Sequence, residues 1–202
     1  AAVAGIYAAK GRPSFNPLIV HLPDIETAKR YVEWTDDADR LAQAFWPGAL
    51  TLVLPLKPDS GLSSLVTAGL PSLAVRVPAH PAMRQVLQAL DGPVAAPSAN
   101  PSGKISATTA AHVLAGLDGK IAAVLDDGAC TVGLESTILG LTGPRPALLR
   151  AGGLPSEAIE AALGQTLEIA DGAEIIAPGQ LASHYAPGAA VRLDAETAGP
   201  GE

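Results

Sequence analysis

Residues 10–21 read Lys10-Gly11-Arg12-Pro13-Ser14-Phe15-Asn16-Pro17-Leu18-Ile19-Val20-His21 and combine a turn with a strand. Glycine and two prolines hold the turn, which carries two cations and an amide. The apolar residues that follow have too little polar surface for an exposed strand. This composition indicates an anion-binding turn beside a buried strand. An ordinary solvated loop has a similar composition, so the segment alone leaves both interpretations open.

Two further arginines stand among apolar residues. Arg76 ends the stretch Leu73-Ala74-Val75, and Arg150 follows Ala147-Leu148-Leu149. An unpaired buried charge costs several kcal/mol, so each arginine must reach an anion or water. The recurrence of cations next to apolar strands favours anion binding over a solvated loop.

Strand and helix patterns alternate along the chain. The predicted strands are 17–22, 49–56, 73–77, 93–96, 121–125, 136–141 and 146–150. The predicted helices are 24–33, 36–45, 80–90, 106–116 and 156–163, with Asp24 and Ser106 as N-caps. Many strands are continuously apolar, as expected where a sheet is covered. The alternation predicts an α/β or α+β fold, a sheet with helical cover.

Both ends of the chain suggest a longer protein. Residues 1–9 have the character of the end of a helix without an N-cap, so we expect residues upstream. Residues 171–189 lose the periodic apolar pattern and are predicted to form a linker, and residues 190–193 predict a further strand.

Composition limits the classes of function. The net charge is −7 and the pI is about 5.0, which argues against a surface that coats nucleic acid. The single cysteine, Cys130, excludes an internal disulfide and is expected to be a small core residue. No apolar run is long enough to span a membrane and no signal peptide is recognisable, so a soluble, cytoplasmic protein is expected.

Several common motifs are absent from the sequence. Gly103-Lys104 could end a P-loop, but Ser98 stands where that motif needs its first glycine. The sequence also contains no Gly-x-Gly-x-x-Gly. The four histidines are widely separated and show no His-Glu-x-x-His, so no dedicated protein metal site is predicted. His112 lies in an alanine-rich predicted helix and is expected at the surface or in packing.

One loop has the composition of a phosphate site. Residues 96–106 lead from a strand through hydroxyls and a glycine to a predicted helix, so free backbone N–H groups and the helix dipole could meet an anion. An ordinary capped loop is the alternative. Glu135, beside Ser136 and Thr137, could pair with an arginine or lie near an amino group or a metal ion.

Seven motifs together resemble the YrdC-like family of threonylcarbamoyl-AMP synthases, in the family's order and over residues 1–188. They are Lys10-Gly11-Arg12-Pro13 with Asn16-Pro17-Leu18-Ile19-Val20-His21, Trp46-Pro47-Gly48-Ala49-Leu50-Thr51, Val75-Arg76-Val77-Pro78, Ala96-Pro97-Ser98-Ala99-Asn100, Glu135-Ser136-Thr137-Ile138, Leu149-Arg150-Ala151-Gly152 and Ser183-His184-Tyr185-Ala186-Pro187. The last motif resembles the longer, two-domain branch. The resemblance implies a twisted open mixed sheet with helical cover, a YrdC-like catalytic domain over 1–170, a linker or lid over 171–188, and the start of a second domain over 189–202.

The resemblance also implies the reaction. Family members condense L-threonine, bicarbonate and ATP, with Mg²⁺, into threonylcarbamoyl-adenylate and pyrophosphate, and downstream machinery modifies tRNA with the product. The implied ATP-binding residues are Arg12, Asn16, Ser72, Ser98, Ser106, Arg150, His184 and Tyr185. The implied threonine-binding residues are His21, Arg76 and Ser136, and the implied catalytic residues are Lys10, Arg12 and Arg76. Ser72 stands where the family often has threonine, and the hydroxyl is retained.

The sequence departs from the family in one respect. A segment of the Thr-Glu-Thr-Val-Tyr-Gly type, which contributes to the threonine pocket, is not found in the 202 residues. We therefore expect this chain to bind ATP better than threonine. Two other classes stay open: a carbamoyl-transferase relative that uses carbamoyl-adenylate chemistry, and a non-catalytic RNA-binding module, against which the charge weighs.

Overall fold

The computed structural model describes residues 1–169, 177, 178, 180 and 194–199. Its helices are α1 Ala2–Lys10, α2 Ile25–Ala28, α3 Asp36–Phe45, α4 Ser64–Thr67, α5 Pro81–Leu90, α6 Ala110–Leu117 and α7 Ser156–Leu163. Its strands are β1 Ile19–His21, β2 Leu50–Pro55, β3 Ser72–Arg76, β4 Val94–Ala95, β5 Thr137–Gly140, β6 Ala147–Arg150 and β7 Glu168–Ile169.

The strands form one mixed sheet in the order β4-β1-β3-β2-β5-β6-β7. β1 pairs with β3, β2 with β5 and β6 with β7 in parallel, whereas the β1–β4, β2–β3 and β5–β6 pairs are antiparallel. The register shifts between Ile138 and Leu139, where β5 meets β6. The predicted class, a mixed α/β sheet with helical cover, is confirmed.

Successive side chains along each strand point to opposite faces of the sheet, and the two faces differ. On one face Leu18, Val20 and Leu22 join Leu50, Leu52 and other aliphatic side chains in the larger core. Helices α2, α3 and α7 add side chains such as Ala28, Leu41 and Ile159 to it. On the other face a smaller apolar cluster holds Ile19, Val53, Ala74, Ile138, Leu149 and Ala177. Because His21 and Arg76 lie two residues after Ile19 and Ala74, they belong to this second face.

Most predicted elements are found with bounds within one or two residues, and two helices, Asp36–Phe45 and Ser156–Leu163, have the predicted bounds. Asp24 caps α2 as predicted, because its side chain accepts a hydrogen bond from the Thr27 backbone N–H at 2.7 Å. The helical character of residues 1–9 is also confirmed by α1. Two short elements, α4 and β7, were not predicted.

Other predictions were wrong. The helix expected over 24–33 ends after Ala28, and Val32 instead forms a bridge with Leu56 at the end of β2. Residues 121–125 form no strand and largely face solvent, with Leu125 at 72% exposure. Cys130 is exposed rather than a core residue. His112 is exposed, as expected.

The expected N-cap of α6 was wrong as well. Thr109, not Ser106, caps this helix by accepting a hydrogen bond from His112 N at 3.3 Å. The Ser106 hydroxyl is turned instead to the Glu135 carboxylate. The domain boundaries at 170 and 188 stay predictions, because they, His184, Tyr185 and the strand expected over 190–193 lie outside the described residues.

Among the described helices, none combines the length and the apolar character that crossing a bilayer requires.

Candidate functional site

Lys10 links the end of α1 to the loop predicted to hold phosphate. Its Nζ donates to the Ser98 carbonyl at 2.5 Å and also to the Asn100 carbonyl, while the Lys10 carbonyl accepts from Ser102 N at 2.8 Å. Burial, together with the positive charge of Arg12, lowers the pKa of Lys10 to about 8. The loop is therefore fixed to a buried amine that stands next to a second cation.

Arg12 organises the turn that follows α1. Its Nε donates to the Asn16 carbonyl at 3.1 Å, and one terminal nitrogen donates to Asn16 Oδ1 at 2.7 Å and to the Pro17 carbonyl at 2.6 Å. Asn16 is 1% exposed, and its Nδ2 has no hydrogen-bond partner among the residues that the structure describes. Gly11, which starts the turn, adopts φ 60°, a left-handed conformation that favours glycine.

His21 and Arg76 are direct neighbours across the parallel β1–β3 pair. Burial and the Arg76 charge lower the pKa of His21 to about 4, although backbone groups of Ile19 and Val94 act in the opposite direction. The imidazole is therefore neutral at neutral pH, and its Nδ1 has no hydrogen-bond partner in the described part of the chain. Arg76 Nε donates to the Gly48 carbonyl at 2.8 Å.

Arg150 reaches Ser136, which immediately precedes β5. One of its terminal nitrogens donates to the Ser136 carbonyl at 2.8 Å and to Ser136 Oγ at 3.1 Å. Ser136 Oγ also lies 2.7 Å from Thr51 Oγ1, and both hydroxyls are buried. Burial, and secondarily the charge of Arg150, lowers the pKa of Arg76. Arg76 has no ion pair with any carboxylate in the described part of the chain, so positive charge accumulates here.

The remaining predicted residues flank these groups. Ser106 donates to the Glu135 carboxylate, next to Ser136. Ser72 begins β3 and Arg76 ends it, so about 13 Å separates them at the usual rise of a strand. Ser72 and Asn16 lie where β3 and β1 begin, whereas His21 and Arg76 lie where these strands end. His184 and Tyr185 are outside the described residues.

The structure thus brings most of the predicted residues into two groups. The first holds Lys10, Arg12, Asn16 and Ser98, and the second holds His21, Arg76, Ser136 and Arg150, with Ser106 beside it through Glu135. Among the described residues, the Ser72 side chain makes no hydrogen bond to either group. Arg150, implied to bind ATP, lies in the same group as the residues implied to bind threonine.

Three participating residues were missed as site residues. Thr51 carries a hydroxyl inside the otherwise apolar strand β2, which is a signal for a polar contact on the opposite face. Asn100 holds the phosphate-type loop by donating from Nδ2 to the Lys104 carbonyl at 2.8 Å. Gly48 contributes only its backbone carbonyl to Arg76, and no side-chain pattern could have revealed that contact.

Comparison with known proteins identifies the family of the chain. The family model Sua5_yciO_yrdC, described as Telomere recombination, matches residues 1–152. The threonylcarbamoyl-AMP synthase of Bacillus subtilis (strain 168) is 46% identical over 198 residues, covering 95% of this chain and 57% of the relative. The enzyme of the same name from Pyrococcus abyssi is 43% identical over 198 residues, covering 94% of this chain and 57% of the relative.

A solved structure superimposes closely on the chain. The crystal structure of P. abyssi Sua5 complexed with L-threonine gives a TM-score of 0.88 at 43% identity, and the match covers 92% of this chain and 56% of that chain. This chain spans about half the length of the curated relatives that it matches. The family model over residues 1–152, the two relatives and the superposition lead to one conclusion: the chain belongs to the Sua5/YciO/YrdC family.

Proposed function

We propose that the protein is an L-threonylcarbamoyladenylate synthase, a nucleotidyltransferase that condenses L-threonine, bicarbonate and ATP into threonylcarbamoyl-adenylate and pyrophosphate. The observation that carries the proposal is the accumulation of cations at one sheet face, where Arg76 lacks a carboxylate partner in the described chain and feels the charge of Arg150. Relatives named threonylcarbamoyl-AMP synthase and the L-threonine complex of P. abyssi Sua5 support it.

The proposed chemistry needs charge neutralisation more than an enzyme nucleophile. Threonine and bicarbonate give N-carboxythreonine and water, and a carbamate oxygen then attacks the α-phosphorus of ATP. The new O–P bond forms as the bond from the α-phosphorus to the bridging oxygen breaks, and pyrophosphate leaves with that electron pair. Positioned cations suit such a transfer, because negative charge must be held in line.

The first group of residues is proposed to bind the nucleotide. Arg12 presents a fork-shaped donor suited to phosphate, and Asn16 holds an unpartnered amide nitrogen next to it. Ser72, Ser98 and Ser106 add hydroxyls, and Arg150 adds a second guanidinium. Lys10 fixes the loop at 98–102 and contributes positive charge.

The second group is proposed to bind threonine. Arg76 would pair with the carboxylate, and a neutral His21 would accept or donate a hydrogen bond without repelling the substrate ammonium group. Ser136 would donate its hydroxyl proton to an oxygen of the threonine moiety. Lys10, Arg12 and Arg76 together would offset charge during the transfer.

We propose that the linker covers the nucleotide, with His184 and Tyr185 facing the phosphates and the ribose. Among the described residues, Ala177 supports this proposal, because it is fully buried in the apolar cluster on the same sheet face as His21 and Arg76. A cover of this kind would shield the adenylate from water before its transfer to downstream tRNA-modification machinery. With a net charge of −7, strong direct binding to nucleic acid is not expected.

Magnesium is proposed to arrive with ATP. The described residues contain no group of three or more His, Cys, Asp or Glu that could hold a metal ion. Side chains in that part of the chain therefore do not form a complete metal site by themselves. The site fits Mg²⁺ in its common mode, in which one or two carboxylates supplement phosphate oxygens, because Glu135 places a carboxylate beside Ser106. When bound, the ion would neutralise phosphate charge. Chelation of Mg²⁺ is expected to abolish turnover.

The test is pyrophosphate release by the full-length protein, with threonine and bicarbonate omitted in turn. We expect release from ATP only when both are present. Equal release without threonine would contradict the synthase and favour the carbamoyl-transferase alternative. A steep salt dependence of RNA affinity, without pyrophosphate release, would favour the RNA-binding alternative.

A further inference from the structure

Thr51 is an unusual residue in the most central part of the sheet. It is fully buried in β2, between Leu50 and Leu52, which pack into the larger core on the opposite face. Burying a hydroxyl without a partner is costly, so a threonine in this strand needs an explanation. A hydrogen bond joins Thr51 Oγ1 to Ser136 Oγ at 2.7 Å.

The Ser136 hydroxyl receives a second hydrogen bond. Arg150 donates to Ser136 Oγ at 3.1 Å, and a guanidinium has no acceptor atom, so Ser136 must accept in this contact. A serine hydroxyl has two acceptor positions and one proton. The direction of the Thr51–Ser136 bond therefore decides where the Ser136 proton points.

The difference in burial between the two residues, 0% exposure for Thr51 and 3% for Ser136, favours one direction. If Ser136 donated to Thr51, the proton of Thr51 would have no acceptor among the described residues, at a position that is 0% exposed. If Thr51 donates, both acceptor positions of Ser136 are filled, and the Ser136 proton is the one that lacks a partner. Ser136 is 3% exposed and precedes β5 beside the half-buried Glu135, so it is less completely enclosed than Thr51.

We propose that Thr51 is a positioning residue, which donates its hydroxyl proton to Ser136 and thereby aims the Ser136 proton at an acceptor oxygen of the threonine-derived substrate. Thr51 itself touches no substrate. The inference rests on the proposed function and deepens it, because it adds a buried residue that sets affinity for threonine and not for ATP.

The experiment compares Thr51→Val, which keeps the shape and removes the hydroxyl, with Thr51→Ser, which keeps the hydroxyl. In the full-length protein we expect Thr51→Val to raise the KM for L-threonine about tenfold, the effect of one well-placed hydrogen bond, with the KM for ATP changed less than about twofold. Thr51→Ser should restore most of the threonine affinity. Thr67→Val is the matched control, since Thr67 is also buried but its hydroxyl bonds within α4, to the Ser64 carbonyl at 3.3 Å.

A double-mutant cycle adds a readout that a purely structural role would not give. In a Ser136→Ala background, Thr51→Val should cause no further rise in the KM for threonine, because the proton it positions is already gone. Additive effects, equal KM values for Thr51→Val and wild type, or an equal rise for both substrates would overturn the inference. Should Thr51→Val fail to fold, Thr51→Ala takes its place with the same expectations.

Failure of this inference differs from failure of the proposed function. A wild-type protein that releases no threonine-dependent pyrophosphate would contradict the function itself. A wild-type protein that does so, while Thr51→Val behaves identically, would contradict only the role of Thr51.

Discussion

At the scale of single residues, His21 links burial in the site to acid stability. Its pKa is lowered from 6.5 to about 4, mainly by burial and then by the charge of Arg76. Between these two pH values the unfolded chain binds the proton and the folded protein does not. The free energy of unfolding should therefore fall as the pH drops from 6.5 to 4, and His21 contributes about 3 kcal/mol to that loss.

Urea unfolding measured across this pH range checks the expectation. His21→Gln should flatten the dependence, because the titrating group is gone. His112→Gln is the matched control, since His112 is an exposed histidine in α6, and it should leave the slope as it is in the wild type. An unchanged slope in His21→Gln would show that another group causes the acid sensitivity.

The arginines test how the site is divided between substrates. Arg76→Ala should lower the affinity for threonine by roughly ten- to hundredfold, or about 1.5–3 kcal/mol of binding free energy, because it removes a charge-assisted contact to the threonine carboxylate. Arg12→Ala should lower the affinity for ATP by a similar factor. Calorimetric titration of each ligand on the full-length protein measures both. If Arg76→Ala weakened ATP and left threonine untouched, the assignment of the two groups would be wrong.

At the scale of elements, the contact between β5 and the end of β6 leaves no room for a side chain. A Cβ at Gly152 would lie 2.5 Å from Glu135 O, Ser136 C and Thr137 N, all of which are backbone atoms. Gly152→Ala must therefore push apart the segment that carries Ser136. We expect a loss of about 1–3 kcal/mol in the free energy of unfolding.

Gly143, in the connection between the same two strands, provides the control for this substitution. A Cβ there would lie 3.9 Å from Arg145 O, an ordinary contact, so Gly143→Ala should change the unfolding free energy little. Denaturant unfolding of both variants gives the comparison. Equal stabilities would mean that the backbone around Ser136 can move without cost.

Elements with a strong local pattern were predictable, and those fixed by distant contacts were not. Residues 36–45 carry a cap at Thr35 and an apolar face, so α3 was predicted to the residue. Residues 29–33 continue a helical pattern, yet the bridge from Val32 to Leu56 draws them toward β2. α4 and β7, with four and two residues, are too short to show a period.

The site follows the same rule. Cations beside apolar strands pointed to Lys10, Arg12, Arg76 and Arg150, because charge in such surroundings is conspicuous. The pairing of Thr51 with Ser136, 85 positions apart, depends on the parallel register of β2 and β5, which the sequence does not show. Ser106 has the local character of an N-cap, and its contact with Glu135, 29 positions away, is also long-range.

At the scale of the whole molecule, the linker prediction can be tested through Ala177, a buried position that joins an apolar cluster of the sheet. Ala177 belongs to the same apolar cluster as Ile19 and Ala74, on the face that carries the site, so Ala177→Asp would place a carboxylate in that cluster. We expect this substitution to lower the unfolding free energy by about 2 kcal/mol or more, whereas Ala198→Asp, at an exposed position, should not.

The functional consequence should appear in proteolysis and turnover of the full-length protein. If residues after Ala177 cover bound nucleotide, saturating ATP and threonine should slow cleavage between 179 and 186 in the wild type, and Ala177→Asp should weaken that protection because the linker is no longer anchored to the sheet face. Deletion of 178–188 should lower turnover and increase the share of adenylate lost to hydrolysis. Cleavage that ligands do not change, together with full turnover in the deletion, would leave the segment as a tether between domains.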